Sequence, residues 1–142
     1  MLATATTAHL APGLDILRIS LHIVAASVWV GGQVVMAGLV PTLKSGGSDL
    51  PARAARTFAR MSWPAYALVI ITGMWNYMEV NRAGASYGWQ FVFGLKFILV
   101  IAAGALAYLH SRAQSASQRG MTAGLGFISS LVALVLGVAL AG

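Results

Sequence analysis

Hydrophobic residues are gathered in four long runs along the chain, and short polar segments separate the runs. Each run reaches about the 20 residues that a helix needs to cross the apolar core of a bilayer. The runs are continuous and do not alternate with polar residues, which argues against the strands of a membrane β-barrel. The pattern predicts an all-α bundle of four transmembrane helices, at residues 14–40, 61–80, 89–111 and 122–141.

Composition supports the membrane class and leaves no room for a separate soluble domain. Of the 142 residues, 58% are hydrophobic and 8% are charged, whereas a soluble domain carries about 25% charged residues. We therefore predict one membrane domain, residues 1–142, that contacts the lipid bilayer. The chain contains no cysteine, which excludes disulfides, thiolate metal ligands and covalent attachment of haem.

Basic residues cluster in the first and third connections between the runs. The net charge is +6, but these residues are dispersed in short segments beside the membrane, which disfavours nucleic-acid binding. Cytoplasmic loops of membrane proteins are enriched in Lys and Arg. The distribution predicts that both termini face the outer side of a membrane, most simply a bacterial inner (plasma) membrane. The clustered residues are Lys44, Arg53, Arg56, Arg60, Arg112 and Arg119.

The segments outside the runs carry two further signals. In the first connection, residues 44–60, the tetrapeptide SDLP at residues 48–51 combines a capping residue with an early proline and predicts the start of a helix. The tail before the first run, residues 1–13, lacks the basic region of a signal peptide. His9 lies in this tail and is expected to be solvated.

One histidine lies inside the first hydrophobic run. His22 is about seven residues, or roughly 10 Å, below the outer start of its span. Ionisable side chains at such a depth are costly and indicate function by default, although a histidine bonded to a neighbouring backbone or hydroxyl group also fits the pattern. Lys96 lies at a similar depth in the third span, where it can pair with an anionic group or extend to the headgroups. Both residues are candidates for binding a cofactor.

Methionines at helical spacing offer soft ligands in the same layer. Met74 and Met78 are four residues apart in the second predicted span and therefore lie on one helix face. Cu(I) favours thioether and imidazole ligands, so His22, Met74 and Met78 are candidate copper ligands. Apolar packing is the alternative explanation for the methionines.

His110 is a third candidate for binding a cofactor, near the opposite end of the third span. It lies about 14 residues, or roughly 21 Å, below Lys96 along that helix. His22 and His110 of one chain are therefore too far apart to hold one haem between them. A haem b ligated by His22 would need a methionine, or a histidine of a second chain, on its opposite face. Lys96 would then neutralise a carboxylate of the porphyrin.

Three motifs of the chain resemble those of known membrane proteins. They are His22-x6-Trp29-x-Gly31-Gly32, the pair Thr72-Gly73, and LKFILV at residues 95–100. Together they resemble the copper resistance D family, and the HemJ-type protoporphyrinogen oxidase has a similar histidine and a similar Leu-Lys pair. The resemblance extends over most of residues 21–112. It implies functional roles for His22 and Lys96, and His110 is more similar to the HemJ type.

These patterns leave three functions open. The first is a small membrane protein of the copper resistance D type that binds copper or helps to move it. The second is a haem-b protein for electron transfer or for HemJ-like oxidation of a porphyrinogen. The third is a non-catalytic subunit of a membrane complex, with a homo-oligomer as the simplest assembly. The chain has only three carboxylates, so no paired-carboxylate or hydrolytic triad site is predicted and no catalytic residue is assigned.

Overall fold

A computed structural model of the chain describes residues 12–141. His9, the predicted solvated histidine of the tail, lies outside the described residues. The described part of the chain consists of four helices joined by short connections and contains no β-strand. The predicted all-α class is therefore confirmed. The helices are α1 (Gly13–Gly46), α2 (Leu50–Glu79), α3 (Tyr87–Arg112) and α4 (Ala116–Ala141).

Three of the four helices, α1, α3 and α4, are long and apolar enough to cross a membrane. Helix α2 covers all but the last residue of the predicted span 61–80 and has 30 residues, about 45 Å in length. Its aromatic, hydroxyl and amide side chains make it less apolar than the others, so the fourth crossing stays a prediction. Each helix begins before its predicted span, and the connection expected at residues 44–60 is reduced to residues 47–49.

Helix α2 begins where the SDLP signal predicts. Leu50 is its first residue, and Pro51 in the first turn costs no hydrogen bond because the amides there have no partner within the helix. Asp49 occupies the N-cap position, but its side chain makes no capping hydrogen bond. The predicted cap is therefore not formed. Gly47 adopts a φ of +156°, which other residues rarely adopt, and allows the chain to turn from α1 into α2.

A π-helical turn, Ser27–Gly31, interrupts α1 near its middle. Such turns carry one extra residue and are often found at functional sites. Trp29 and Val30 of this turn are buried, at 6% and 8% exposure. Gly32 follows directly, and a Cβ at this position would collide with the ring of Phe58 on α2. The glycine therefore permits α1 and α2 to approach closely.

The four helices form two antiparallel hairpins, α1 with α2 and α3 with α4. We call the end where α1 begins and α2 ends the upper end, and the end with the connections 47–49 and 113–115 the lower end. Contacts within each hairpin are extensive, whereas α1 and α4 meet mainly at the π-helical turn of α1. The buried apolar core is consequently small and comprises Ala25, Trp29, Val30, Val69, Ala103 and Ala133.

Large apolar side chains cover the surface of the bundle. Leu14 on α1, Ile71 on α2, Ile98 on α3 and Val138 on α4 are between 63% and 70% exposed. A continuous apolar surface is unfavourable in water. It suits the hydrocarbon core of a bilayer, where helices satisfy their own backbone hydrogen bonds. The surface therefore agrees with the three helices that are apolar enough to cross a membrane.

Candidate functional site

His22 takes part in one of two side-chain hydrogen bonds that join α1 to α2. We call each of these bonds a rung. Its Nδ1 lies 2.8 Å from Oγ1 of Thr72. Four residues earlier on α1, Arg18 donates to the side-chain oxygen of Asn76, four residues later on α2, at 2.7 Å. Residues four apart lie on one face of a helix. Antiparallel packing of the two helices therefore aligns both rungs, one helical turn apart.

Thr72 determines which nitrogen of His22 is free. The Thr72 hydroxyl donates to the backbone carbonyl of Leu68 at 2.6 Å, so its single proton is used within α2. The tautomer that satisfies both contacts is the one in which Nδ1–H of His22 donates to the hydroxyl oxygen, and in that tautomer the neutral imidazole keeps its lone pair on Nε2. Thr72 is 1% exposed, which protects this contact from water. A hydrogen bond of this kind orients histidines that ligate metals through the other nitrogen.

Arg18 is neutralised by a residue of its own helix. Its guanidinium donates to the carboxylate of Asp15 at 2.7 Å, in addition to its bond to Asn76. The side chain of Arg18 is 11% exposed and that of Asp15 is 37% exposed. The ion pair leaves no net charge at this rung. Arg18 therefore joins α1 to α2 and borders the upper part of the site.

Lys96 of α3 is the cation of the site that no acidic side chain neutralises. The salt bridge between Arg18 and Asp15 is the only one within residues 12–141. No carboxylate of these residues lies within 4 Å of Lys96. The half-buried Lys96 side chain lies against α4, where a Cβ on Gly137 would be 2.9 Å from Nζ. Glycine at this position therefore makes room for the amine. An ammonium in apolar surroundings is strongly favoured when an anion accompanies it.

His22 and Lys96 line one cavity between the two hairpins, with a volume of about 560 Å³. This volume lies within the range of roughly 300–1,000 Å³ that is typical of sites for small molecules and cofactors. All four helices contribute to the walls, which are mostly apolar. Apart from the tyrosines and tryptophans, the polar side chains in the lining are Arg18, His22, Ser27, Asn76, Lys96 and Ser130. Size and lining are those of a ligand site.

Aromatic rings border the cavity at both ends. At the upper end, Tyr77 of α2 stacks on Phe93 of α3, with centroids 4.2 Å apart and planes at 18°. Trp89 extends this stack, 5.7 Å from Phe93. At the lower end, Trp29 of α1 packs against Tyr66 of α2 with centroids 4.6 Å apart. All five rings line the cavity, so a planar apolar ligand would contact aromatic surfaces at both ends.

Several hydrogen bonds join the two hairpins at the lower end of the cavity. Nε1–H of Trp29 donates to Oγ of Ser130 on α4 at 3.1 Å. The hydroxyl of Tyr66 donates to the backbone carbonyl of Val100 on α3 at 2.9 Å. The ring of Tyr66 lies so close to α3 that a Cβ on Gly104 would collide with it. The lower end is therefore both hydrogen-bonded and tightly packed.

The predicted copper ligands separate in the structure. Met74 lines the cavity together with His22 and is 38% exposed. Met78 does not line it and is 62% exposed. No group of three or more His, Cys, Asp or Glu side chains that could hold a metal occurs among the described residues. One thioether and one imidazole are thus what the cavity offers to copper.

His110 lies at the lower end and does not line the cavity. Its Nδ1–H donates to the backbone carbonyl of Arg119 at 3.0 Å, and Oγ1 of Thr122 lies 3.4 Å from the same nitrogen. These contacts tie the end of α3 to the start of α4. A cofactor bound through His110 would therefore lie outside the cavity that contains His22 and Lys96.

Neither family models, nor curated proteins, nor solved structures gave a match. The resemblance to the copper resistance D family therefore rests on the motifs within residues 21–112 alone. The chemistry of the cavity has to follow from the residues that line it.

Three features of the site were not foreseen in the sequence. They are the identity of Thr72 as the hydroxyl partner of His22, the rung formed by Arg18 and Asn76, and the space beside Gly137. The two rungs have a signal in the sequence, because their residues are four apart on each helix. Arg18 pairs with Asn76, and His22 pairs with Thr72. Nothing local relates Gly137 to Lys96, because their proximity depends on how α3 packs against α4.

Proposed function

We propose that this chain is an integral membrane protein that binds haem b or a closely related porphyrin in the cavity between its hairpins. One observation carries the proposal: a histidine with a free Nε2 and a lysine without a carboxylate partner line the same apolar cavity. A porphyrin of this class combines a planar apolar ring with carboxylates. In haem b, His22 would meet the iron, Lys96 a carboxylate, and the apolar walls of the cavity the ring.

The residues present fit such a ligand in chemical type. Nε2 of His22 would ligate the iron, since imidazole is a common axial ligand of haem. Lys96 would hold a carboxylate, and the aromatic rings at both ends of the cavity would contact the macrocycle. Haem would supply one-electron redox chemistry, while the chain orients the group and excludes water. Electron transfer and HemJ-like oxidation of a porphyrinogen are both compatible with this arrangement.

Titration with haemin tests the proposal directly. Wild-type protein in detergent should develop a shifted Soret band that saturates at one haemin per chain. Replacing the ligand by His22→Ala should abolish the shift, and Lys96→Met should weaken binding by removing the cation. The variant His110→Ala is the matched control, because His110 lies outside the cavity. Equal binding by His22→Ala and the wild type would overturn the assignment.

Copper handling of the copper resistance D type is the second candidate. The observation in its favour is that the sulfur-bearing side chain of Met74 lines the cavity together with His22. Thioether and imidazole ligands together suit Cu(I). Further ligands would have to come from water, from the copper's carrier or from a second chain. Metal analysis of the purified protein, with haem content measured in parallel, distinguishes the two candidates.

The topology that accompanies this function has four crossings, with both termini outside in a bacterial inner membrane. Support comes from the length of α2, which packs antiparallel to the membrane-length α1, and from the basic flanks. The chain lacks cysteine, so single cysteines report the topology. Ser48→Cys and Gln114→Cys should react with an impermeant maleimide only from inside, and Ala83→Cys only from outside. Labelling of Ser48→Cys and Ala83→Cys from one side would refute the crossing by α2.

Assembly with further chains belongs to the same proposal. The exposed apolar side chains on all four helices provide surface for lipid and for a second copy or another membrane subunit. A homo-oligomer, or a larger complex in which this chain is a non-catalytic subunit, would bury part of that surface. Mass measurement of the protein extracted in native lipid particles tests this point.

A further inference from the structure

At the upper end, side-chain contacts join neighbouring helices on three of the four sides of the cavity. Arg18 joins α1 to α2 through its bond to Asn76. The stack of Tyr77 on Phe93 joins α2 to α3. Between α3 and α4, Nε1–H of Trp89 donates to the backbone carbonyl of Leu140 at 3.4 Å. Within the described residues no such contact joins the upper half of α1 to α4. The fourth side is therefore open above the π-helical turn.

The side chains around this opening line the cavity and are also exposed on the surface. On α1 they are Ile19 and Ile23, at 43% and 58% exposure, and on α4 they are Leu134 and Val138, at 43% and 68%. We call the opening between these four residues the lateral portal. All four are aliphatic, so the rim has no affinity for water. At this depth the portal faces lipid if α1 and α4 cross the membrane.

The opposite side, between α2 and α3, is more restricted. Met74 and Phe97 line the cavity there and are 38% and 41% exposed. The stack of Tyr77 bridges these helices toward the upper end, and the bond from Tyr66 to Val100 bridges them toward the lower end. The portal has a bridge only on its lower side, where Trp29 bonds to α4. Access is therefore least hindered between α1 and α4.

Lys96 lies directly inside this portal. Its amine is placed against Gly137, the neighbour of the rim residue Val138. An apolar rim with a cation immediately behind it is complementary to a molecule that has an apolar body and an anionic head. A carboxylate that enters there can pair with the amine of Lys96, whereas the guanidinium of Arg18 is already paired with Asp15.

We infer that the cavity takes up its ligand sideways from the lipid phase, through the portal between α1 and α4, and that the ligand is a membrane-dissolved carboxylic amphiphile. The inference rests on the proposed function, because it assumes that the cavity binds a ligand. It adds the route and the chemical class. At the portal, the apolar body of the ligand would contact the rim and its carboxylate would pair with Lys96.

Narrowing the portal tests the route. Val138→Trp places a larger side chain on the rim, and Val135→Trp is the matched control, since Val135 is 62% exposed on the same helix but does not line the cavity. Each protein is reconstituted in phosphatidylcholine vesicles and mixed with vesicles that carry haemin. Val138→Trp should slow both association and dissociation by about tenfold or more. Both rates fall together when access is narrowed, whereas the loss of a wall contact would speed dissociation.

The outcomes separate the route from the proposed function. Equal association rates for Val138→Trp and Val135→Trp, with haemin bound by all proteins, overturn the portal and leave the site intact. Absence of haemin binding by the wild type overturns the haem proposal, and spin-labelled stearate then serves as the probe. The immobilised signal should appear more slowly in Val138→Trp and should be weaker at equilibrium in Lys96→Met, whereas Val135→Trp should change neither. Absence of an immobilised signal in the wild type overturns the portal as well.

Discussion

Removing one hydroxyl from the site should weaken haemin binding without unfolding the protein. In Thr72→Val, the acceptor of the bond from Nδ1–H of His22 is lost while the shape of the side chain is kept. The carbonyl of Leu68 loses only a second donor, because it already accepts within the helix. The imidazole is then free to rotate or to move its proton to Nε2. Either change withdraws the nitrogen that would ligate the iron.

Magnitudes decide which effect dominates. Side-chain hydrogen bonds between membrane helices contribute about 0.6 kcal/mol on average and at most about 1.7 kcal/mol, so the loss of stability should be modest. Loss of a hydrogen bond that orients a metal-ligating histidine costs about 10–100-fold in affinity. That loss corresponds to roughly 1.4–2.7 kcal/mol. The haemin Kd should therefore respond more strongly to Thr72→Val than the unfolding free energy does.

Haemin titration and thermal unfolding in the same detergent measure both quantities. Thr72→Ser retains the hydroxyl and should restore most of the affinity. Thr122→Val is the matched control, because Thr122 is a buried threonine that donates to the backbone of α4 at 2.7 Å and does not line the cavity. Haemin binding by Thr72→Val as tight as that by Thr72→Ser, or an equal loss of affinity in Thr122→Val, would refute this role of the Thr72 hydroxyl.

Three further predictions concern packing and metal binding. Gly104→Ala should destabilise the protein by about 1–3 kcal/mol in thermal unfolding, because its Cβ would collide with the ring of Tyr66 on α2. Gly94→Ala is the control and should be neutral or stabilising, since there is open space around Gly94. If copper binds in the cavity, Met74→Leu should lower its affinity in a competition titration and Met78→Leu should not, since only Met74 lines the cavity. Ser130→Ala should cost about 0.6–1.7 kcal/mol of unfolding free energy, measured in detergent, by removing the acceptor of a buried indole N–H.

The helices were predictable because their signals are local. The hydrophobic runs predict α1, α3 and α4 as membrane-length helices, and the SDLP signal predicts the start of α2 at Leu50. The π-helical turn at Ser27–Gly31 was not predictable, because an extra residue in a helix changes no hydrophobic pattern. The side-chain cap expected from Asp49 is missing for a similar reason: residue type permits the bond, but the backbone geometry decides it.

The site was predictable only as far as depth along a helix allows. Counting residues along the helices predicts that His22 and Lys96 lie at the same depth. In the structure both residues line the cavity. Rotation about each helix axis decides which side chains face inward, and that rotation depends on packing between helices. Met78 differs from Met74 in this respect, although both belong to the same face by spacing. The partner of His22 likewise depends on the register between α1 and α2.

The cavity is a consequence of how side-chain sizes vary along the bundle. At the upper level Tyr77 and Phe93 fill the space between the hairpins, and at the lower level Trp29 and Tyr66 do so. Between these levels the facing residues are small, with Gly73 beside His22, Gly137 beside Lys96, and Ala133. Rings that hold two hairpins apart at both ends leave a void where small residues face each other.

A void of this kind would be costly if it stayed empty, because its walls lose dispersion contacts. Water is a poor filling, since nearly all of the lining is apolar. An apolar ligand restores the contacts, and an anionic group on that ligand also neutralises Lys96. The same small residues that create the space thus determine which ligand fits it. Gly73→Ala would place a Cβ 3.4 Å from Cε1 of His22. Gly137→Ala would place one against the amine of Lys96. Both changes should reduce haemin binding before they reduce stability, because each adds volume to a void and not to a packed core.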